Sequence, residues 1–346
     1  MILYIVPDIK KISGGPRSRI QNFKNVFKEK DEEVIEGGWS KKLISVLQVP
    51  SQQSVYVEMA SNRLFFIDFI CLNLLKLKKS KIIPFIRDIY IELIPDEYKS
   101  FRGRITKLLN KLSNRFVCSI AHKVVFPTKE MGKLYFKKNA FKKKIEFDEL
   151  PPGCFTTENI YLEKNKVKED RIGLVFLGGI NYSNSGIINY LEVARTLKVK
   201  YRFYVLTQDS NIFEILHQNN LEKDIIVDHI PFKELERYFK LNNIKFAIHA
   251  RSRSEYDDLT FPIKILDLIS LNIPFFTERH IPIANLMGSE YPLFQELKEI
   301  EQIEEKLEYY SRGHQYESLI SILELKRDEN QYENRYRKLL NMFKNE

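Results

Sequence analysis

Two short stretches with paired glycines constrain the fold of this chain more than any other feature. Each pair follows an apolar run and precedes a helical pattern: 2–6, Gly14-Gly15 and 17–28 in the first, and 172–177, Gly178-Gly179 and 185–198 in the second. The order of strand, glycine loop and helix opens a doubly wound α/β unit, with the loop at the ligand-binding edge of the sheet. Two such openings predict an α/β chain with two Rossmann-like domains facing each other across a cleft.

The length of the chain and its other apolar runs support two domains. A chain of 346 residues is too long for one ordinary core. Further strands are expected at 54–59, 81–87, 122–126, 145–150, 201–207, 224–228 and 244–249. Pro151-Pro152-Gly153 opens a polar stretch of little periodicity, which is typical of a domain boundary. We therefore predict an N-terminal domain at 1–160, a C-terminal domain at 161–328 and a C-terminal helix at 329–346.

The stretch 251–277 places two charged residues in an otherwise apolar helix. Pro262 suits the first turn of a helix, and Asn272 tolerates the left-handed conformation that ends one. Lys264 and Asp267 stand three residues apart and therefore share one face. A phosphate at Lys264 and a ribose diol at Asp267 would offset the cost of burying these charges, and a helix N-terminus favours a phosphate. The alternative is an ion pair within the helix.

Charge and cysteine content narrow the classes of partner and compartment. The formal net charge of +9 predicts an anionic partner: a nucleotide, an acidic polysaccharide, a membrane surface or a nucleic acid. No nucleic-acid-binding motif is present, which disfavours the last of these. Three cysteines without a CxxC pair favour a reducing cytosolic compartment, and no apolar stretch is long enough to span a bilayer. The six histidines lack metal-ligand spacing, so no metal site is expected.

Two segments of the N-terminal domain are candidates for the catalytic site or for contact with an acceptor or a membrane. Arg87 and Asp88 end a predicted strand, where α/β sites collect functional groups; a salt-bridged loop pair is the alternative. The segment 101–116 predicts an amphipathic helix with apolar residues on one side and cations on the other. These cations are Arg104, Lys107, Lys111 and Arg115. They form either a solvated face or a surface that binds anionic lipid headgroups.

The chain resembles a glycosyltransferase of the GT-B type, in the broad family 4 group (glycosyl transferases group 1). The similarity is sharpest at Phe261-Pro262-Ile263-Lys264-Ile265-Leu266-Asp267-Leu268, followed by Ile273-Pro274. In that family the proline–lysine–acid segment contacts the sugar-nucleotide donor, the lysine reaching phosphate and the acid reaching ribose. The resemblance therefore implies that Pro262, Lys264 and Asp267 bind the donor, together with the paired glycines.

The resemblance also implies a catalytic position in the N-terminal domain. Ile86-Arg87-Asp88-Ile89-Tyr90 is similar to the family's histidine–aspartate position near the acceptor, with arginine in place of histidine. The family's first acid, separated from the second by seven intervening residues, would fall at Leu259. Asp257 and Asp258 stand near that position, and we take Asp258 as a third catalytic candidate beside Arg87 and Asp88.

The cations that usually bind the diphosphate in this family are missing. Residues 180–187 (INYSNSGI) lack the Arg and Lys that normally follow the second glycine pair. Arg251 and Arg253, with Lys264, would then neutralise the diphosphate. The acid at 267 is Asp where Glu is usual, which keeps the charge and shortens the reach.

Together these observations predict a hexosyltransferase-like enzyme that moves a sugar from a nucleotide-diphosphate donor to a glycan or lipid-linked acceptor in cell-surface polysaccharide synthesis. Retention of anomeric configuration is expected. Neither a metal nor a cofactor is expected, because cations and backbone N–H groups can stabilise a departing diphosphate. The protein is expected in the cytoplasm, docked at the inner face of the membrane. The alternatives are a sugar-nucleotide epimerase of the same fold and a non-catalytic nucleotide- or polyanion-binding protein.

Overall fold

The structure is a computed structural model, and it describes residues 2–12, 14–37, 39–58, 64, 66–93, 98–141, 144–155, 170–182 and 184–344. The chain divides into two compact units. Unit 1 comprises Met1–Gly153, Leu259–Phe261 and Tyr332–Glu346, and unit 2 comprises Cys154–Asp258 and Pro262–Gln331. The boundary predicted at residue 160 lies outside the described residues.

Each unit is built on one parallel sheet. The strands of unit 1 are β1 (Ile2–Val6), β2 (Val34–Glu36), β3 (Ser54–Glu58), β4 (Lys81–Phe85), β5 (Val124–Phe126) and β6 (Phe147–Glu149). Those of unit 2 are β7 (Gly173–Leu177), β8 (Arg202–Leu206), β9 (Ile225–Asp228), β10 (Ile244–His249) and β11 (Phe275–Thr277). The strand orders are β2-β1-β3-β4-β5-β6 and β11-β10-β7-β8-β9. Both orders are those of doubly wound α/β units, which confirms the predicted fold class.

Helices alternate with the strands and cover both sheets. The first seven are α1 (Gly14–Glu29), α2 (Trp39–Gln48), α3 (Phe66–Leu77), α4 (Tyr90–Leu93), α5 (Phe101–Ile120), α6 (Lys129–Lys138) and α7 (Ile187–Leu197). The others are α8 (Ile212–Gln218), α9 (Phe232–Leu241), α10 (Ile263–Ser270), α11 (Ile281–Met287), α12 (Ile300–Tyr310), α13 (Gly313–Glu329) and α14 (Tyr332–Lys344). In the described part of the chain, no helix is both long and apolar enough to cross a membrane.

The central strands form because parallel strands covered on both faces are continuous apolar runs. Every residue of β1 is buried, and β10 coincides with the predicted strand at 244–249. β2 and α2 were not predicted, because a strand of three residues is too short to give a clear pattern. β4 ends at Phe85, two residues earlier than the predicted strand, so Arg87 and Asp88 lie in the loop before α4.

The ends of α10 follow the predicted chemistry with one shift. Pro262 is the N-cap residue, one position before the first turn, and has φ −76° and ψ 107°. Asn272 has φ +53°, so the helix is followed by the expected left-handed residue. These ends set the register of the helix, because they place Lys264 in its first turn, at the same edge of the sheet as the loop after β7.

The C-terminal helix α14 belongs to unit 1, where it packs on α1. The rings of Phe23 and Tyr332 meet edge-to-face with centroids 5.2 Å apart, and those of Phe27 and Tyr336 do so at 5.1 Å. Such edge-to-face pairs stabilise packing beyond the area that they bury. The last segment of the chain is therefore part of the core of the first unit.

Candidate functional site

A lysine side chain lies across a glycine at the carboxyl edge of the second sheet. Gly178 follows β7 directly, and Lys264 stands in the first turn of α10. A Cβ atom at residue 178 would come within 2.0 Å of Lys264 Cε and 2.1 Å of Lys264 Nζ. The φ angle of Gly178 is +114°, which residues with a side chain rarely adopt. Glycine is therefore required here, because it lets the ammonium group rest against the loop backbone.

The glycine loop is held by an aspartate from the neighbouring strand. Asp209 lies just beyond β8, and its Oδ2 accepts a hydrogen bond from the Ile180 backbone N–H at 2.6 Å. The Asp209 backbone N–H in turn donates to Thr207 Oγ1 at 3.1 Å. Because β7 and β8 are paired, their carboxyl ends lie side by side. Sequence reasoning missed Asp209, since no local pattern connects it with the glycine loop.

The Lys264 ammonium group faces aromatic rings. It donates a hydrogen bond to the Tyr182 hydroxyl at 3.2 Å. It lies 5.5 Å from the centroid of the Phe176 ring and 5.8 Å from that of Tyr182. Within the described ranges Lys264 forms no ion pair, so the predicted alternative, a pair with Asp267 inside the helix, is not found. Cation–π contacts leave the charge available to an anionic ligand.

Arg251 is fixed beside the same tyrosine ring. Its Nη1 lies 3.0 Å from Asp257 Oδ1, and its Nε donates to the backbone oxygen of Asn184 at 2.6 Å. Its guanidinium carbon is 5.4 Å from the centroid of the Tyr182 ring. The buried Asp257 carboxylate also accepts hydrogen bonds from Asn184 and from the hydroxyl of Ser254. Arg251 is therefore oriented by a network that sequence reasoning did not predict.

Arg253 and Asp258 form a neighbouring pair. Arg253 Nε lies 3.1 Å and 2.9 Å from the two carboxylate oxygens of Asp258. Asp258 Oδ1 also accepts a hydrogen bond from the backbone N–H of Ile281 at 3.1 Å. Arg253 lines an open polar cleft of about 480 Å³, together with Glu278, Arg279, Phe294, Gln295, Glu296, Glu299, Gln302 and Lys306. Unlike Lys264, Arg253 already has a carboxylate partner.

Asp267 is a partly buried carboxylate with its hydrogen-bonding capacity unused. One turn along α10 from Lys264, it makes no side-chain hydrogen bond or ion pair with any residue that the structure describes. Burial raises the pKa of Asp267 to about 7, and the Lys264 ammonium group opposes part of that rise. A ligand with two hydroxyl groups could donate hydrogen bonds to this carboxylate and favour its charged form.

Two buried histidines lie next to Arg251. His249 ends β10, and His280 is the N-cap residue of α11, with ring centroids 5.7 Å apart. His280 Nε2 is 3.1 Å from the backbone oxygen of Arg251, to which it can donate a hydrogen bond. Burial lowers the pKa of His249 well below its ordinary value, and the positive charges of Lys264 and Arg251 add to the effect. Burial also lowers the pKa of His280. Both histidine rings are therefore neutral, and they pack beside Arg251 without adding positive charge.

The candidate residues of unit 1 form separate groups. Gly14 and Gly15 begin α1, and Gly14 has φ +65°. Arg87 Nε lies 3.7 Å from Asp88 Oδ2, so the two form an ion pair, as the structural alternative predicted. An ion pair in a loop is compatible with a catalytic role and with a structural role of these two residues. The structure thus brings Gly178, Arg251 and Lys264 together in unit 2, and keeps Arg87 with Asp88 in unit 1.

The basic helix α5 exposes its apolar residues. Its buried residues are Ser113, Asn114, Val117 and Cys118. Its exposed apolar residues, with 45% to 80% of their surface accessible, are Phe101, Ile105, Leu108 and Leu112. The helix contains no acidic residue, and Arg104, Lys107, Lys111 and Arg115 lie along it. Over the first half of the helix the apolar side is therefore exposed to solvent.

Within the described ranges, no three His, Cys, Asp or Glu side chains gather in a way that could hold a metal ion. The groups at this edge of unit 2 are two cations, a carboxylate that lacks hydrogen bonds, backbone N–H groups and an exposed phenol. This set can bind an anionic ligand that also carries hydroxyl groups.

Sequence comparisons find no match, whereas structural comparison finds proteins of similar fold. No family model and no curated protein sequence matches the chain. A sucrose-phosphate synthase (tll1590) from Thermosynechococcus elongatus is similar with a TM-score of 0.69 at 9% identity, covering 99% of this chain and 98% of that one. An α-glucosyltransferase in complex with UDP and DNA has a TM-score of 0.65 at 9% identity, covering 100% and 99%.

A third structure is the lipopolysaccharide outer core galactosyltransferase WaaB, with a TM-score of 0.58 at 8% identity, covering 98% of this chain and 99% of WaaB. All three neighbours are glycosyltransferases of the GT-B fold. At sequence identities this low, the similarity shows a shared fold and nothing about activity. The comparison confirms that this chain has the GT-B fold that its sequence resembles.

Proposed function

We propose that this protein is a glycosyltransferase that binds a nucleotide-diphosphate sugar on unit 2 and moves the sugar to a glycan or lipid-linked acceptor. One observation carries the proposal: the Lys264 ammonium group rests on Gly178 beside Arg251, and no carboxylate among the described residues pairs with it. The GT-B fold supports the same activity, since a neighbour of this fold was solved with UDP.

The diphosphate would bind where the two cations converge. Lys264 and Arg251 both lie within 6 Å of the Tyr182 ring centroid, and we propose that one diphosphate contacts both. A nucleoside diphosphate gains negative charge as the bond to the sugar breaks, and fixed cations stabilise that charge. The backbone of the Gly178-Gly179 loop can approach the phosphate closely because it carries no side chains. These groups allow departure of the diphosphate without a metal ion.

The ribose would bind at Asp267. Its carboxylate has no other partner in the described part of the chain, and it stands one turn along α10 from the proposed phosphate site. Two ribose hydroxyls would donate hydrogen bonds to the charged carboxylate and offset the cost of its burial. Asp267 is one methylene shorter than the glutamate that the family uses, so the ribose would sit closer to the α10 backbone.

Catalysis and acceptor binding are assigned to three residues. Arg87 and Asp88 are the proposed acceptor-side residues of unit 1, where they form an ion pair in the loop after β4. Asp258 is the proposed carboxylate of unit 2, where it pairs with Arg253 and accepts a hydrogen bond from the Ile281 N–H. We propose that the sugar is transferred with retention of configuration.

The lipid-linked acceptor is supported by helix α5. Exposed Phe101, Ile105, Leu108 and Leu112 stand beside cations, with no acidic residue on the helix. Such a helix lies in the interface of an anionic membrane, where apolar side chains insert among lipids and cations meet headgroups. We propose that α5 docks the enzyme at the inner face of the membrane, where cell-surface polysaccharides are assembled on lipid carriers.

A non-catalytic nucleotide-binding protein is the second candidate, and one observation favours it. Asp258 is tied to both Arg253 and Ile281, and Leu259 stands where the family has an acid. This candidate predicts that donor binds without slow hydrolysis and without transfer to any acceptor. An assay of nucleoside diphosphate release from the bound donor separates the two candidates.

The test of donor binding is thermal stabilisation by a panel of sugar nucleotides. A ligand present at one hundred times its dissociation constant should add about 2.7 kcal/mol to the free energy of unfolding. We expect one member of the panel to stabilise the wild-type protein, and Lys264→Ala to lose that effect. Lys223→Ala is the matched control, because Lys223 is exposed and precedes β9 at the opposite edge of the sheet. Equal stabilisation of both variants would contradict the proposed site.

A further inference from the structure

Tyr182 contacts both cations of the site. Its hydroxyl accepts a hydrogen bond from Lys264 Nζ at 3.2 Å, and its ring centroid is 5.8 Å from that ammonium group. The guanidinium carbon of Arg251 lies 5.4 Å from the same centroid. Tyr182 is exposed, with 43% of its surface accessible. The residue lies in the segment after Gly178-Gly179 that contains no Arg or Lys.

The direction of the lysine–tyrosine hydrogen bond follows from the chemistry of the two groups. An ammonium group can only donate, so the phenol oxygen must be the acceptor. The phenol O–H is then free to donate to another atom, and among the described residues none accepts from it. An exposed O–H group beside two cations is therefore directed toward an anion that those cations attract.

The ring has a separate effect on the cations. Lys264 and Arg251 repel one another, and the negative face of an aromatic ring offsets part of that repulsion. Arg251 is anchored by Asp257 and Asn184, whereas the ammonium group of Lys264 has Tyr182 as its hydrogen-bond partner in the described part of the chain. Tyr182 thus determines where the lysine ammonium stands.

We propose that Tyr182 is a phosphate-binding residue of this site. Its hydroxyl donates a hydrogen bond to the diphosphate while accepting one from Lys264, and its ring keeps Lys264 and Arg251 converged. Tyr182 thus contributes a hydrogen bond to the diphosphate from the segment that lacks the usual Arg and Lys after the glycine pair. The inference rests on the proposed function, because it assigns a role toward the same diphosphate.

The test compares phosphate-containing probes with a probe that has none. Titration calorimetry would measure the affinities of UDP, GDP, ADP and inorganic pyrophosphate, and of the nucleoside that corresponds to the tightest-binding nucleotide. A hydrogen bond to a charged group contributes enough to change affinity by about tenfold or more. We expect Tyr182→Phe to weaken the tightest nucleoside diphosphate and pyrophosphate about tenfold, with nucleoside affinity unchanged. Tyr182→Leu, which also removes the ring, should weaken both further.

The controls separate this role from a structural one. Tyr309→Phe alters an exposed tyrosine of α12 in the same unit and should change no affinity. Unchanged or tighter diphosphate binding by Tyr182→Phe, or an equal loss for the nucleoside, would overturn the role of the hydroxyl. If Tyr182→Leu equals Tyr182→Phe, the role of the ring is wrong. If neither pyrophosphate nor any nucleotide binds the wild-type protein, the proposed function fails and this role fails with it.

Discussion

The side chain of Lys264 occupies the space that a Cβ atom of residue 178 would need. That position would fall 2.0 Å from Lys264 Cε, and the glycine has φ +114°. The contact joins two sequence features that lie far apart in the chain, the second glycine pair and the proline–lysine–acid segment. It also means that the position of the ammonium group depends on the absence of a side chain in the loop.

Gly178→Ala is therefore expected to weaken diphosphate binding, although less than Lys264→Ala does. The new methyl group displaces the lysine, and the left-handed backbone adds a cost of about 1 to 2 kcal/mol in unfolding free energy. Gly288→Ala is the matched control, because Gly288 also has positive φ, at +88°, and nothing lies within 4 Å of its Cβ position. It should lose similar stability and keep full binding. Pyrophosphate titration with urea unfolding checks both, and retained binding in Gly178→Ala would contradict the contact.

Asp267 should make stability depend on pH. Its folded-state pKa of about 7 exceeds the unfolded value near 3.9, so the folded protein binds more protons between about pH 4 and pH 7. The free energy of unfolding should therefore fall as pH rises through that window, by about 2 to 4 kcal/mol for a partly buried group. Asp267→Asn should match the wild type near pH 4 and be more stable at pH 8. If the unfolding free energies of the wild type and of Asp267→Asn, measured in urea, changed with pH in parallel, the raised pKa of Asp267 would be excluded.

Asp257 and Asp258 are adjacent in sequence and should differ in what they support. Asp257 is buried and orients Arg251, so Asp257→Asn should cost about 2 kcal/mol of stability and weaken diphosphate binding. The Arg253 partner of Asp258 is 52% exposed, so Asp258→Asn should cost less than about 1 kcal/mol. If Asp258 is catalytic, its variant binds donor normally and loses transfer by about a hundredfold or more. Normal transfer by Asp258→Asn would remove it from the catalytic residues.

Membrane docking should depend on the exposed apolar residues of α5 as well as on its charges. Leu108→Ser combined with Leu112→Ser should reduce sedimentation with anionic vesicles at least tenfold and leave stability within about 0.5 kcal/mol, because both side chains are exposed. Val199→Ser is the control, since Val199 of unit 2 is 82% exposed and lies outside α5. Unchanged vesicle binding by the double variant would exclude insertion. If the double variant lost binding to neutral vesicles and kept binding to anionic vesicles, the role of anionic headgroups would be contradicted.

Much of the fold was predictable because buried parallel strands are continuous apolar runs. β1 and β10 lie where the sequence predicted them, and Thr128 caps α6 through a hydrogen bond from the Met131 N–H at 3.2 Å. β2 was missed because three residues carry too little periodicity. For α5, the sequence identified an apolar and a basic side. Which side packs on unit 1 depends on neighbouring elements, and the helix pattern contains no information about them.

The sequence by itself determined two doubly wound units, the two glycine loops, and a helix with Lys264 in its first turn, because strand runs, glycines and helix ends are local signals. Only the tertiary structure decided which groups meet at the second loop. Tyr182, Asn184, Asp209 and Asp257 became part of the site because parallel strands bring their carboxyl ends to one edge. Residues more than 80 positions apart in the chain, such as Tyr182 and Lys264, then come into contact there, and no local pattern reports contacts at such separations.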